Sequence, residues 1–469
     1  MPALPYPWIA IFASAVAAQE WPRFRGPNGS GVLDVDSLPA TFGPEQNVAW
    51  QQRVPYAASS PVLGTGCVFL TTSEGDDVVV LCFSRDDGAE RWQRRLKRAR
   101  QVERHENNDP AAATPVTDGT RVFAFFPELG VVAFDGEGKQ LWLRPLGPFT
   151  NRYGMASSPI LAGDTLLLLC DQENGSFLLA LDATTGDVKW QRVREAMSAS
   201  WTTPVLYPAN ALAPTTQILT FGNFAAHGYA LASGELQWQA IGLGVCPVSS
   251  PVVAGDRLFV CAPFPAEIPA PNFAELAVAY DANKDGKLAK TEFGSPVFAS
   301  HFERLDTSAD GFIDADEWEK SKMSLGSEDY GLVAYDLTKP PDSGTRADAW
   351  RVKKGVAVVS TPIVYRDVLY MVKDGGILSS IDPESGEVYR CDRLGDAIGT
   401  FFPSPVAAGG RLLFASNPGK IAVVEAGKQW RVLTVVDFGE EMRATPAIGA
   451  DGALFVRTQT KLYCCKQPP

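Results

Sequence analysis

Asp182-Ala183-Thr184-Thr185-Gly186-Asp187-Val188-Lys189-Trp190 follows one apolar run, Asp164–Cys170, and then another, Phe177–Leu181. Gly186 supplies the positive φ of a tight hairpin turn, and Trp190 then falls on a further, outer strand. Gly stands four residues before Trp again at Gly88/Trp92, Gly138/Trp142 and Gly234/Trp238. A sixth copy carries Arg390 in the Trp position with Tyr389 beside it, and a seventh, Gly427/Trp430, is one residue shorter. Each Trp is expected to bury its ring against the next repeat.

A second signal marks the start of each unit. A small residue, then Ser or Thr, then Pro precedes an apolar run at Pro61, Pro115, Pro159, Pro204, Pro251, Pro362, Pro405 and Pro446. Successive prolines are 54, 44, 45, 47, 111, 43 and 41 residues apart, so eight repeats contain one interval too long by about 65 residues. Four short strands per repeat is the period of a β-propeller blade. The last repeat, Ala444 to Cys465, holds three strands, and Asn47-Val48-Ala49-Trp50 resembles the missing fourth. The expected fold is all-β, an eight-bladed β-propeller closed by its N-terminal strand, with a small α-helical EF-hand insertion in blade 5.

Charge and composition limit the function. Lys plus Arg number 42 and Asp plus Glu 54, a net charge of −12, which argues against nucleic-acid binding. The three histidines, His105, His227 and His301, have no metal-ligand spacing. Residues 1–18 read as a signal peptide, since the apolar stretch Trp8–Ala18 ends in Val16-x-Ala18, although no Lys or Arg precedes it. No later apolar run is long enough to span a membrane. The expected product is exported, periplasmic or extracellular, soluble and monomeric. The expected division is signal peptide 1–18, propeller 19–263, EF-hand pair 264–328 and propeller 329–469. The eight cysteines show no repeated spacing. Cys67 and Cys82 flank a turn near Gly75, where a cross-strand disulfide or two free buried thiols are open, the thiols favoured.

The long interval holds two calcium-loop patterns. Asp281, Asn283, Asp285, Gly286 and Glu292 fill the required positions of the first loop; Asp306, Ser308, Asp310, Gly311 and Glu317 fill the second, with Ser at position 3. Side chains at positions 1, 3 and 5, the carbonyl at 7 (Lys287 and Phe312) and a bidentate Glu at 12 surround a hard cation with oxygen. Asp314, at position 9 of the second loop, adds a fourth carboxylate there. Leu288 and Ile313 at position 8 are expected to pair across a short β-bridge. Phe273, Leu276, Ala277 and Tyr280 have helical spacing, and Ser295-Pro296 is a helix start leading to Phe298, Phe302 and Leu305. Residues 264–329 carry a net charge of −8. Two calcium ions are the expected cofactors, the second loop binding more tightly by ligand charge. Strand parity puts the insertion on the face of the inter-blade links, beside the channel mouth.

The Asp-x-x-Thr-Gly-x-x-x-Trp unit resembles the repeat of pyrroloquinoline-quinone-like (PQQ-like) propellers. Trp21-Pro22-Arg23-Phe24-Arg25-Gly26-Pro27-Asn28 resembles the start of a secreted bacterial subgroup. That superfamily includes quinoprotein dehydrogenases and the non-enzymatic propeller of the outer-membrane barrel-assembly machinery. The dehydrogenases imply an Asp base, a calcium held by Glu and Asn, a Trp floor and a vicinal cysteine ring over the quinone. Here Cys464-Cys465 fall in the closing strand, and no base with a calcium cage is found. No catalytic residue is assigned, and no cofactor-binding residue of the propeller is named. The favoured function is a calcium-binding, non-enzymatic binding or assembly scaffold with a protein or glycan ligand at the channel mouth. A PQQ-dependent alcohol or sugar dehydrogenase is the alternative, with the quinone the less favoured cofactor. Among rim segments, Arg94, Arg95, Lys97, Arg98, Arg100 and Arg104 with Glu106-Asn107-Asn108 read either as a solvated loop or as an anion- or glycan-binding rim. Asn151, Arg152, Tyr153 and Arg443 join that rim, and Trp201 is either a stacking platform in the channel or an ordinary packed Trp.

Overall fold

The computed structural model describes residues 21–39, 41–102, 104–194, 197–209, 212–265, 272–292, 302–308, 310–322 and 330–467. Residues 1–18, expected to be a signal peptide, and the expected helix start at Ser295-Pro296 lie outside them. Eight four-stranded antiparallel sheets form the eight blades, numbered here by their Ser/Thr-Pro motifs. Blade 3 is representative: Ile160–Ala162 is innermost, followed by Thr165–Cys170, Phe177–Asp182 and the outer Val188–Val193. Middle strands such as Thr165–Cys170 are buried on both faces, so they read as unbroken apolar runs. The core therefore lies between blades, as a series of apolar clusters each joining one sheet to its neighbour.

Closure follows the N-terminal route expected. Val48–Arg53 pairs antiparallel with Lys461–Cys465 and becomes the outer strand of blade 8, beyond Leu454–Arg457 and Ala447–Ile448. In blade 5 the strands Arg257–Ala262 and Gly331–Asp336 pair in unbroken register although the long insertion separates them.

The Gly/Trp unit clamps neighbouring blades together. The indole N–H of Trp142 donates to Ala183 O at 3.1 Å, in the turn of the following blade. Gly186 has φ +77°, and a Cβ there would stand 2.7 Å from the Trp142 ring. Trp50, Trp92, Trp190 and Trp350 dock in the same way against Gly88, Gly138, Gly234 and Gly386. Asp182 shapes the turn, its Oδ1 accepting the N–H groups of Thr184 and Thr185. Where blade 6 has no Trp, the Arg390 guanidinium lies 4.6 Å from the Trp430 ring of blade 7.

The Ser/Thr-Pro motifs form a closed circle of hydrogen bonds around the channel. The backbone N–H of Ser60 donates to Thr114 Oγ1, that of Thr114 to Ser158 Oγ, and that of Ser158 to Thr203 Oγ1. The circle passes through Ser250, Thr361, Ser404 and Thr445 and returns from the Thr445 N–H to Ser60 Oγ, all at 2.9–3.1 Å. Ser and Thr alternate strictly around it. Each innermost strand is a sheet edge, with backbone groups that have no strand beyond them. Proline removes one N–H and holds the preceding residue extended, and the neighbouring hydroxyl accepts that residue's N–H. Thr445→Val keeps the shape but deprives the buried Ser404 N–H of its acceptor, a cost of about 1–3 kcal/mol. Thr445→Ser keeps the acceptor and loses one methyl, about 0.5–1.5 kcal/mol. Chemical denaturation is expected to rank the Val variant as the less stable of the two.

Candidate functional site: a blind cup and an EF-hand pair

The strap Trp21–Val35 crosses one end of the channel and closes it. Trp21 O accepts the Leu63 N–H and Pro22 O that of Thr117, both at 2.8 Å. Arg23 donates to Pro204 O and Arg25 to Pro362 O, while Asn28 pairs through its side chain with both backbone groups of Leu206. Gly31 and Leu33 bond with Ala407. Five blades are thus tied by one segment. Both guanidinium groups are fully buried with no carboxylate partner among the described residues, and desolvation pushes each pKa down to about 9.

Phe24 on this strap belongs to the lining of a cup of about 340 Å³, open at the other end, where the inter-blade loops stand. Seven of the eight circle residues, all but Ser250, line it. Above them is a second layer, two residues earlier in each motif, because alternate residues of an extended chain share a face. That layer reads, in blade order, Ala58, Ala112, Ala156, Trp201, Val248, Val359, Phe402 and Arg443. It is lopsided. Three adjacent alanines leave an open arc, with Trp201 at one end and Arg443 at the other.

Trp201 is therefore a channel residue, its indole N–H held by Gly154 O at 2.8 Å and its ring meeting Tyr153 edge-on at 5.4 Å. Tyr153 also lines the cup and packs against His105, with ring centroids 4.7 Å apart. Arg443 Nε donates to Glu441 at 2.7 Å, and its guanidinium lies 5.6 Å from the Phe402 ring. Arg443 is the one charged side chain lining the cup, and among the described residues no carboxylate does.

The other rim candidates separate. Asn107 and Asn108 line the cup, the Asn108 amide holding Tyr153 O at 2.7 Å. Asn151 is a buried turn residue whose Oδ1 accepts the Tyr153 N–H, and neither it nor Arg152 lines the cup. The arginine cluster braces the blade 1–2 link instead of forming an open basic rim. Arg98 and Arg104 both pair with the buried Glu128, Arg94 donates to Gly138 O and Arg100 to Leu146 O, and Arg95 pairs with Glu74. Cys464 and Cys465 are buried in the closing blade, away from the cup, and burial pushes both thiols up to about 12. Cys67 and Cys82 are free and sit diagonally across one strand pair, Arg91 Nη1 lying 3.3 Å from Cys67 Sγ.

The insertion leaves blade 5 at the mouth. Phe264, just after Arg257–Ala262, lines the cup, and its carbonyl accepts the Val245 N–H at 2.9 Å. Farther on, helix α1 (Phe273–Tyr280) starts in a capping box, Asn272 and Glu275 each accepting the other's backbone N–H. Helices α2 (Phe302–Leu305) and α3 (Ala315–Lys322) flank the second loop. Leu288 pairs with Ile313, as position 8 of each loop requires. Both join Leu276, Phe302, Leu305 and Trp318 in a small core of the insertion's own.

The loops differ in readiness for a cation. Gly286 and Gly311 take φ +81° and +88° at the sharp bends. In the second loop, carboxylate oxygens of Asp306, Asp310 and Glu317 lie within 4.8 Å of one another. Asp306 accepts the Asp310 and Gly311 N–H groups, and Glu317 accepts those of Ser308 and Asp314. Asp314 Oδ1 in turn accepts the Glu317 N–H, while the Phe312 N–H goes to Asp310. In the first loop Asp281 accepts the Asp285 and Gly286 N–H groups, Asn283 donates its amide to Asp285, and Glu292 accepts the Ala289 N–H. This donor set suits a hard cation. Lys287 reaches across from the first loop to Asp310 at 3.1 Å, which raises the lysine pKa and lowers that of the aspartate.

The sequence matches the family described as outer membrane protein assembly factor BamB over residues 44–167 and 150–297, and the chain belongs to that family of PQQ-like propellers. Residues 300–322 match the EF hand, which contains the second loop. No curated protein sequence matches the chain. Among solved structures, BamB from Moraxella catarrhalis is 12% identical, covers 92% of this chain and 100% of its own, and superposes with a TM-score of 0.51. A europium-containing methanol dehydrogenase is 11% identical over 94% of this chain and 89% of its own, with a TM-score of 0.54. The quinohemoprotein alcohol dehydrogenase of Comamonas testosteroni is 10% identical over 97% and 82%, with a TM-score of 0.58. At such identity these likenesses carry the fold and no activity.

The lysine contact sets a calcium experiment. Glu317→Gln is expected to weaken binding more than Glu292→Gln does. Lys287→Gln, which keeps the position 7 carbonyl and frees Asp310, is expected to tighten the second site about two- to fivefold, the size of an exposed ion pair. Calorimetric calcium titration of the three variants checks the ranking.

Proposed function

We propose that this protein is an exported calcium-binding propeller that works as a non-enzymatic binding or assembly scaffold, presenting its cup and mouth to a ligand. The observation that carries the reading is the cup's lining: hydroxyls, the Asn107 and Asn108 carboxamides, Cys246, aromatic and aliphatic side chains and a single cation, with no carboxylate among the described residues. Dehydrogenation of an alcohol needs a base within hydrogen-bond reach of the hydroxyl proton. A quinone-bound calcium would also need a carboxylate among its oxygen ligands beside the ring. The lining does not fit that group, and the vicinal cysteines are in the closing blade, so no step is derived through a quinone. Added PQQ with calcium is expected to give no dye reduction with alcohols or sugars. A bound quinone that turns over overturns the scaffold reading.

The calcium ligands in this reading are Asp281, Asn283, Asp285, the Lys287 carbonyl and Glu292 in one loop. Asp306, Ser308, Asp310, the Phe312 carbonyl, Asp314 and Glu317 serve the other, one ion in each. Export fits the N-terminal residues 1–18, and no described helix is long and apolar enough to cross a membrane. The net charge of −12 fits a protein or glycan partner better than nucleic acid. The insertion's separate small core supports metal-dependent folding of that module alone. A chelator is expected to open residues 265–326 to protease while the blades stay resistant, because their stacking rests on their own strands. Loss of the whole propeller in chelator, read as one much lower melting temperature, would assign calcium to closure of the circle.

A further inference from the structure

The eight circle hydroxyls are used on one side only. Each oxygen accepts a backbone N–H from the preceding blade, and among the described residues none of their O–H donors has an acceptor in the protein. The hydroxyls are nearly fully buried, yet all but one of these residues line the cup. Above them, Arg443 is the cup's one charge, and its Nε alone is bonded to a carboxylate. Under the floor lie the guanidinium groups of Arg23 and Arg25, bonded to carbonyls but with no carboxylate partner among the described residues. Buried donors and positive charge without matching acceptors are costly until an acceptor arrives. The electrostatics of the cup therefore favour an anion.

Shape defines the rest of the ligand. The open arc over Ala58, Ala112 and Ala156 runs from Arg443 to Trp201, with circle hydroxyls beneath it. A flat or extended apolar body lying on the arc meets methyl groups below and the Trp201–Tyr153 pair at its far end, while an acidic head group at the near end meets Arg443. Resting on the scaffold reading of the cup, we propose that it binds an organic carboxylate, its acid group on Arg443 and the circle hydroxyls and its apolar body along the alanine arc. Free aryl or alkyl acids and the C-terminus of a peptide share this chemistry.

The test titrates the intact protein with 4-phenylbutyrate and with 4-phenylbutanamide, and in a second arm with hippuryl-phenylalanine and its C-terminal amide, following tryptophan emission and heat. The acid of at least one pair is expected to bind about tenfold or more tightly than its amide, as a charge-assisted contact to arginine gives. The arm with the tighter acid identifies the source, a free acid or a peptide end. Arg443→Gln is expected to abolish the acid–amide difference. Ala112→Leu, which fills the arc at a half-exposed position, is expected to abolish binding of both without changing the denaturation midpoint. Equal binding of acid and amide in both arms, no binding of either acid, or an Ala112→Leu protein that binds as before overturns the proposal. The acid–amide comparison needs no variant, so a misfolded substitution leaves the result readable. These outcomes are independent of dye reduction with quinone, which judges the scaffold reading separately.

Discussion

The hydroxyl circle is the constraint around which the molecule is organised. In a propeller the innermost strands converge on an axis where no further strand can pair with them. Their backbone donors have to be met in a space too narrow for another sheet. Here one dipeptide, repeated eight times, meets the need. Proline deletes a donor, and the residue before it passes its N–H to the next blade's hydroxyl. The bonds are cyclic, one across each seam, so the first motif accepts from the last, and the channel can neither open at a seam nor add a blade without breaking one of them. The outer rim is fastened differently, by Trp rings seated on glycine turns, and there the glycine serves both the left-handed backbone and the closeness of the indole.

The strap makes a blind cup of what would otherwise be a pore. Its arginines spend their hydrogen bonds on proline carbonyls of blades 4 and 6, the same prolines that close the hydroxyl circle. Their burial without carboxylates is unfavourable by itself. It is offset by what the strap buries elsewhere, including the fully buried Trp21 and contacts with five blades. Two positive charges are thereby fixed below a cup that holds a third, and that arrangement gives the channel its polarity.

Much of this was legible in the chain. Proline spacing defined the blade count and the place of the insertion, and the three-stranded last repeat together with Asn47–Trp50 defined the N-terminal closure. Turn glycines located the Trp rings, and position 8 of each calcium loop located its β-bridge. The cup was partly legible: Trp201 was singled out because it stands close to a Ser/Thr-Pro motif. The same period-two reading applied to every motif would have found Ala58, Ala112, Ala156, Phe402 and Arg443 as one layer. What sequence could not supply was the partner of each charge. Arg98 and Arg104 look like a basic rim until Glu128, some 24 residues from the nearer of them, is seen buried between them. The burial of Arg23 and Arg25 likewise depends on blades far away in sequence.

The insertion's position has a thermodynamic reason as well as a topological one. Blade 5 keeps its register from Arg257–Asp336 to Ala262–Gly331, so residues 263–330 hang from an otherwise ordinary hairpin end. Lengthening a turn of about four residues to this span is roughly four doublings, about 2.5 kcal/mol of closure entropy. A blade held by sheet pairing and inter-blade packing can bear that cost, and a folded insertion reduces it by bringing its own ends together. Blade 5 also stands opposite blade 1 in an eightfold circle. The acidic insertion is therefore rooted across the mouth from the Arg94–Arg104 link, whose arginines are largely occupied by local partners. Any electrostatic influence of the insertion acts first on the cup that its root residue Phe264 helps to line. Residues 264–329 carry a net charge of −8, which two divalent ions, one in each proposed loop, would lower by four. On the readings proposed above, calcium loading and anion capture would be coupled by sign: metal lowers the negative charge carried by the insertion and leaves the donors inside the cup unchanged.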